Sequence, residues 1–208
     1  ISVIIAALIY ALATPIQNVA AWFAILLKHR YRIGNVVEVD GVKGYVVDVA
    51  LTSTTIREMG NWMGGDLYTG RLVTVPNKSL FESSVKVYNR KNPYVFDRLD
   101  VMVTYESDMA RAEELLRNAA SGVLDGQSPR SAVDVLETRE LVHSVPEGIR
   151  VFIRSEPSGV TLGVVYFVAL YKREQIRTEI LKAFLAAVRG EEGVNIAYPH
   201  LEVVGVEK

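Results

Sequence analysis

Hydrophobic and polar positions fall into three regimes along the chain. Residues 1–27 carry no charged side chain at all. As a helix at about 1.5 Å per residue they would span roughly 40 Å, more than a bilayer core of about 30 Å. The pattern predicts a membrane segment; a buried helix of a soluble protein is the alternative. Directly after it comes "KHRYR", residues 28–32, and the positive-inside rule places the downstream residues in the cytoplasm. From Gly34 the period changes to two. The stretch "VVEVDGVKGYVVDVALTSTTIREM" alternates β-branched and polar residues and is punctuated by Asp40-Gly41 and Gly44, which predicts a run of short strands. A second β run, "RLVTVPNKSL", comes after a glycine-rich insert at 60–70 and ends at Pro76-Asn77, giving a small all-β barrel or sandwich.

Beyond about Asn92 the order changes again to strand, helix, strand, strand, helix, strand. The parts are "DRLDVMVTYE", a helix over 107–124, "IRVFIRS", "GVTLGVVYFVALY", a helix over 174–189 and "LEVVGV". That order predicts an α+β ferredoxin-like sandwich. The expected organisation is a pore-type helix and basic linker over 1–33, a β domain over 34–91 and an α/β domain over 92–208, with a connector at 125–148.

The apolar run contains its own break. Pro15 lacks an amide hydrogen and disfavours helical geometry at Thr14. Thr14, Pro15 and Gln17 match a capping box, with Asn18 completing the polar group. One helix is expected to stop at Thr14 and another to start; a simple proline kink is the alternative. Within a bilayer such a break requires protein or a water-filled cavity around the freed backbone groups.

The first half of the helix, turned at about 100° per residue, has two small-residue flanks. Ser2, Ala6 and Ala13 form one, Ala7 and Ala11 the other, with Val3 and Tyr10 between them. Small residues allow close helix approach in membranes. Two such flanks suit a helix with a neighbour on each side, a ring whose axis Val3 and Tyr10 face; chance spacing of alanines gives the same pattern. Lys28, Arg30 and Arg32 are expected to meet anionic headgroups or to act only as topology determinants.

Composition narrows the chemistry. Half of the 208 residues are hydrophobic, the formal net charge is −1 and there is no cysteine. Near-neutral charge argues against a nucleic-acid partner, and thiol nucleophiles and thiolate metal sites are excluded within this sequence. The chain opens on Ile1 with no basic leader, which argues against a secretory signal and for a segment of a longer protein. His29, His143 and His200 have no metal-ligand spacing, and Glu113-Glu114 and Glu191-Glu192 read as solvated faces. No phosphate-cradling glycine loop or nucleophile elbow is present, so neither an enzyme nor a cofactor is expected.

Several stretches in this order resemble the small-conductance mechanosensitive channel (MscS) family. "ALATPIQNVAAWFAILL" is similar to the family's kinked pore helix, "YRIGNVVEVDGVKGYV" to its passage into the barrel, and "TSTTIRE…GRLVTVPNKSL" to its barrel core. "VTYESDMARAEELL" and "NIAYPH" resemble later landmarks. The resemblance covers nearly the whole chain. It implies an Sm-like β-barrel, a homoheptamer in the inner or plasma membrane, multi-pass with a cytoplasmic C-terminal domain, contact with lipids, and tension-gated release of ions and small solutes. Ala6 and Tyr10 stand where the family usually carries sealing leucines, and Thr14 stands where it usually carries glycine. The family's tight Asp-Gly turn is replaced by "MGNWMGGDLYTG", which exposes Trp62 and Met63. That longer tip is expected to reach a neighbouring subunit or the headgroup layer, or else to be a floppy loop.

Three functions fit these patterns. The first is a channel subunit opened by membrane tension, releasing osmolytes on hypo-osmotic shock through a pore whose gate is Val3, Ala6 and Tyr10. The second keeps the architecture but makes the cytosolic body a ligand-sensing module with a mostly closed pore. The third is a soluble ferredoxin-like regulatory protein.

Overall fold

The computed structural model describes residues 2–88, 93–125 and 148–198. The chain divides into two compact units, Ile1–Pro93 and Tyr94–Lys208. The first holds α1 (Ser2–Lys28), β1 (Val36–Val39), β2 (Val42–Val49), β3 (Ser53–Met59), β4 (Tyr68–Pro76), α2 (Asn77–Glu82) and β5 (Lys86–Val87). Its strands form one antiparallel sheet in the order β4-β3-β2-β1-β5.

Local chemistry explains this meander. Asp40 and Gly41, at φ 48° and 79°, form the two-residue turn joining β1 to β2, a geometry that asparagine, aspartate and glycine tolerate best. At Gly44 a Cβ would fall 2.1 Å from the carbonyl oxygen of Arg57, so β2 and β3 approach at a distance open only to glycine. The pairing register shifts between Val46 and Asp48, an irregularity that bends a strand and favours closure of a small barrel. Val37, Val39, Val46, Ile56 and Val75 fill the interior, and Ile25 from α1, Tyr31 and Leu80 from α2 complete it.

Two elements differ from expectation. The helix does not stop at Thr14: α1 runs on with Pro15 inside it, and Thr14 is not an N-cap. A proline removes one intrahelical donor, and the helix retains its remaining bonds on either side. The strand ends at Pro76 as expected, but the residues after it, Asn77–Glu82, form a short helix that the pattern did not predict. Proline presets the extended geometry of a helix entry here, at φ −57° and ψ 137°, and the side chain of Asn77 turns to the β2–β3 loop rather than to a strand partner.

The second unit holds β6 (Tyr94–Val103), α3 (Met109–Leu124), β7 (Arg150–Glu156), β8 (Gly159–Ala169) and α4 (Arg173–Arg189). The sheet order is β6-β8-β7, antiparallel throughout. Asp108 caps α3, its carboxylate accepting from the amide of Arg111 at 3.0 Å. Leu116 and Ala120 of α3 and Ile176, Ile180 and Phe184 of α4, spaced in helical steps, pack on Leu99, Val101, Leu162 and Val164. This is the ferredoxin-like strand, helix, strand, strand, helix order. The chain after α4 returns to β6 through an antiparallel bridge between Val103 and Ile196. The expected strand "LEVVGV", His143 and His200, and nearly all of the 125–148 connector lie outside the described residues.

One core-facing position of β6 is charged. Asp97 shares the buried face of Leu99 and Val101, and its carboxylate accepts from Tyr166 Oη at 2.9 Å, Arg173 Nη2 at 2.8 Å and Arg177 Nη2 at 2.7 Å. Burial pushes this carboxyl up, but the two guanidinium groups and the phenol outweigh it and hold the group below the usual range. Its contribution is therefore present above the unfolded carboxyl pKa of about 3.9 and is lost as pH falls through the lower folded value. Asp97→Ala leaves two arginines facing a buried void. It is expected to lower unfolding stability by about 3–5 kcal/mol, measured by denaturant unfolding at pH 7, with the gap to wild type narrowing below pH 4.

Candidate functional site

The features that carry the expected function meet where α1 joins the β domain. In the first half of α1, Val3, Ala6 and Tyr10 are all exposed, Tyr10 at 86% of its full surface. Ser2, Ala7 and Ala11 are also exposed and Ala13 is partly so. Among the described residues, none of these is buried against another element. Of the 27 residues of α1, the buried ones are Asn18, Ala21 and Ile25, at intervals of three and four that define one face of the second half.

That face is held by directed bonds. Asn18 Nδ2 donates to the carbonyl of Thr14 at 3.1 Å, and Asn18 Oδ1 accepts from the backbone amide of Lys78 at 2.9 Å. The same side chain therefore serves the turn that contains Pro15 and the orphan amides at the start of α2. Trp22 Nε1 adds a long bond of 3.4 Å to the carbonyl of Val49.

Behind Lys78 lies a fully satisfied polar node. Thr54 and Asn77 are completely buried and Tyr31 nearly so. Thr54 Oγ1 donates to Asn77 Oδ1 at 2.9 Å, and Tyr31 Oη lies 3.1 Å from Thr54 Oγ1. Because the threonine proton is committed to Asn77, the phenol must be the donor to Thr54. Burial pushes the Tyr31 phenol up in pKa, which keeps it protonated for that task. Asn77 Nδ2 then donates to the carbonyls of Ala50 and Leu51 at 2.9 and 3.1 Å, and its backbone amide donates to Thr52 at 3.1 Å. The turn between β2 and β3 is thus pinned to the helix that touches α1.

The basic cluster divides. Lys28 closes α1, where a cation suits the helix C-terminus, and His29 takes the left-handed conformation at φ 47°. Arg30 is drawn inward: Nη1 donates to the carbonyl of Phe81 at 3.1 Å and the guanidinium lies 4.9 Å from the Phe81 ring centre. Arg32 is exposed, its backbone amide bonded to Asn35 Oδ1 at 2.9 Å. Sequence reasoning placed Asn18 at the break but missed Lys78, Asn77, Thr54 and Arg30–Phe81. Asn18 and Lys78 are sixty residues apart, and only the recurrence of buried-capable polar residues beside "VPN" signalled the node. Among the described residues, no group of three acidic or histidine side chains is placed to hold a metal.

The two bonds of Asn18 give a direct test. Asn18→Ala removes a buried acceptor and a donor together, at an expected cost of about 1–2 kcal/mol. Hydrogen exchange of the Lys78 amide should accelerate roughly 5- to 30-fold, while amides of α3 stay unchanged.

Residues 14–90 match the family model described as the mechanosensitive ion channel β-domain. An uncharacterized MscS family protein of Synechocystis sp. is 28% identical over 199 residues, 93% of this chain and 56% of that protein. One of Archaeoglobus fulgidus is 28% identical over 108 residues, 52% of this chain and 35% of that protein. The chain thus spans about half, or less, of the length of these relatives. Among solved structures, Helicobacter pylori MscS in a closed state superposes with a TM-score of 0.71 at 17% identity, covering 100% of this chain and 72% of that one. Arabidopsis thaliana MSL1 superposes with a TM-score of 0.62 at 15% identity, covering 95% and 64%. The β-domain match spans the Asn18–Lys78 junction and its polar node, and MscS family relatives align along both units.

Proposed function

We propose that this chain is the pore-helix and cytosolic part of a multi-pass channel subunit that assembles as a homo-oligomer, a heptamer on the family pattern, in the cell membrane. Membrane tension opens it, and ions and small osmolytes leave on hypo-osmotic shock. One observation carries the reading: α1 is apolar, long enough to cross a bilayer and almost wholly uncovered by its own chain, yet its second half is bonded to the β domain through Asn18. An uncovered apolar helix of this length needs lipid or other helices around it, and a bonded end couples it to the cytosolic body.

In this reading Val3, Ala6 and Tyr10 line the pore, and Ser2, Ala7, Ala11 and Ala13 are the contact flanks between neighbouring helices. Thr14, Pro15, Gln17 and Asn18 form the bend, while Lys28 and Arg32 face anionic headgroups. Arg30, committed to Phe81, contributes less to that contact. A ring of tyrosines closes by excluding water from a narrow apolar constriction, and Ala6 adds no second bulky layer. Opening requires the rings to separate far enough for the constriction to wet.

The test is electrical. Patches carrying the full-length protein should pass current that rises with suction, and silence up to membrane rupture would end the channel reading. Tyr10→Ser should raise resting leak severalfold and lower the tension needed for opening, whereas Tyr10→Leu should restore a dry seal. If both variants match wild type in leak and conductance, Tyr10 does not line the pore.

A further inference from the structure

The helices of the second unit cover one face of its sheet. Leu99, Val101, Leu162 and Val164 point to α3 and α4. Side chains alternate along a strand and directly paired residues share a face, so the register fixes what the other side carries. Phe96 pairs with Phe167, Arg98 and Arg150 flank Val165 on its two sides, and Asp100 and Phe152 flank Gly163. Among the described residues nothing covers this face: Phe96, Arg98, Asp100, Arg150 and Phe152 are all exposed.

Two kinds of surface meet there. At one end the rings of Tyr94 and Phe167 stack with centres 5.4 Å apart and planes at 21°, and Phe96 leans on Phe167 at 5.0 Å. Phe96 is held from behind by other rings and still offers 41% of its own surface to solvent. Beside it, Arg98 Nε donates to Asp100 Oδ1 at 2.7 Å, and the pair lies across Gly163, where a Cβ would come within 2.5 Å of the guanidinium. A glycine on the central strand keeps this part of the face flat. Arg154 is paired in the same way with Glu156 at 2.6 Å. Arg150 has no ion-pair partner among the described residues, so one positive charge on the face is uncancelled.

We propose that this open face binds a single nucleotide, its base stacked on Phe96 and its phosphate held by Arg150. The two residues are two strands and one two-residue step apart, roughly 12 Å between Cα atoms at about 4.8 Å per strand and about 3.4 Å per residue. Base, ribose and phosphate together with a long arginine side chain bridge that span. A pre-held ring on a flat sheet suits a planar partner, because every base has a face to stack, and the uncancelled guanidinium requires that the partner carry an anion. A polynucleotide fits less well: one surplus cation on the face and a formal net charge of −1 for the chain give a polyanion little to bind. A second copy of the chain fits less well too, since charge is depleted at an interface centre and here Arg98, Asp100 and Arg150 stand exposed across the middle of the sheet. The proposal is independent of the channel reading.

The test is photolabelling of the full-length protein in lipid nanodiscs with an azido derivative of AMP, the labelled peptides being mapped after digestion. Label is expected on β6 or β8, and AMP should compete for it better than adenosine, which lacks the phosphate, or ribose phosphate, which lacks the base. Phe96→Ala should weaken AMP competition roughly 10-fold and Phe96→Trp should preserve it, both with unchanged circular dichroism. Arg150→Gln should weaken it roughly 2- to 5-fold and remove most of its dependence on salt. Four results overturn the proposal: no saturable label on the sheet, equal competition by adenosine and AMP, a Phe96→Trp variant that binds no better than Phe96→Ala, or a single-stranded oligonucleotide that competes at a concentration well below that of AMP. Each of these leaves the channel reading standing.

Discussion

An apolar helix can slide or rotate on an apolar surface at little cost, because hydrophobic contact is not directional. In the first unit that freedom is removed by two buried carboxamides. Asn18 accepts the first-turn amide of α2, and Asn77 binds the turn between β2 and β3 with every polar atom of its side chain satisfied. Each bond is worth only about 1 kcal/mol net, but leaving a buried partner unmade costs more, so one register of α1 on the β domain is selected. Ile25 in the barrel core then adds burial to a register the amides have already chosen.

Pro15 gains its meaning from this arrangement. A proline deprives the carbonyl four residues earlier, Ala11, of its helical donor, so the helix is weakest just before the segment that is bonded down. Asn18 donates to the carbonyl of Thr14, reinforcing the next turn. The weak point lies between an N-terminal half that buries no residue among the described ones and a C-terminal half fixed by Asn18, Ala21 and Ile25. The contacts that hold the second half all lie on the C-terminal side of Pro15.

The architecture was legible where the signal is local. Period-two alternation, Asp40-Gly41 and the glycine at 44 gave the strands of the first sheet, and the order of strand and helix segments after Asn92 gave the helices whose Leu116, Ala120, Ile176, Ile180 and Phe184 cover the second sheet. The misses are equally physical. α2 is six residues long and opens behind a strand-ending proline, too short for periodicity to register. The order in the 60–72 tip comes from Glu58 and Arg71, thirteen residues apart, and from Lys43 and Asp66, twenty-three apart, distances at which sequence carries no pairing signal. Arg30 looked like any basic residue beside a membrane until α2 supplied a carbonyl and a ring for it. The faces of the first half of α1 remain a matter of pattern, because Tyr10 and the alanine flanks are not buried by any described residue.

That exposure also fixes where the helix is held. With three buried residues out of 27, α1 gains almost nothing from the described residues of its own chain over its first four turns. Among the described residues of the unit, α1 meets the β domain through the Asn18, Ala21 and Ile25 face onto α2 and the core, through the Trp22 bond to the carbonyl of Val49, and through the Arg30 segment onto Phe81. Two of these contacts, Asn18 with Lys78 and Arg30 with Phe81, end on α2, and α2 is tied to the β2–β3 turn by Asn77. A short helix that is hard to see in the sequence thus receives two of the contacts that a long and obvious one makes with the β domain.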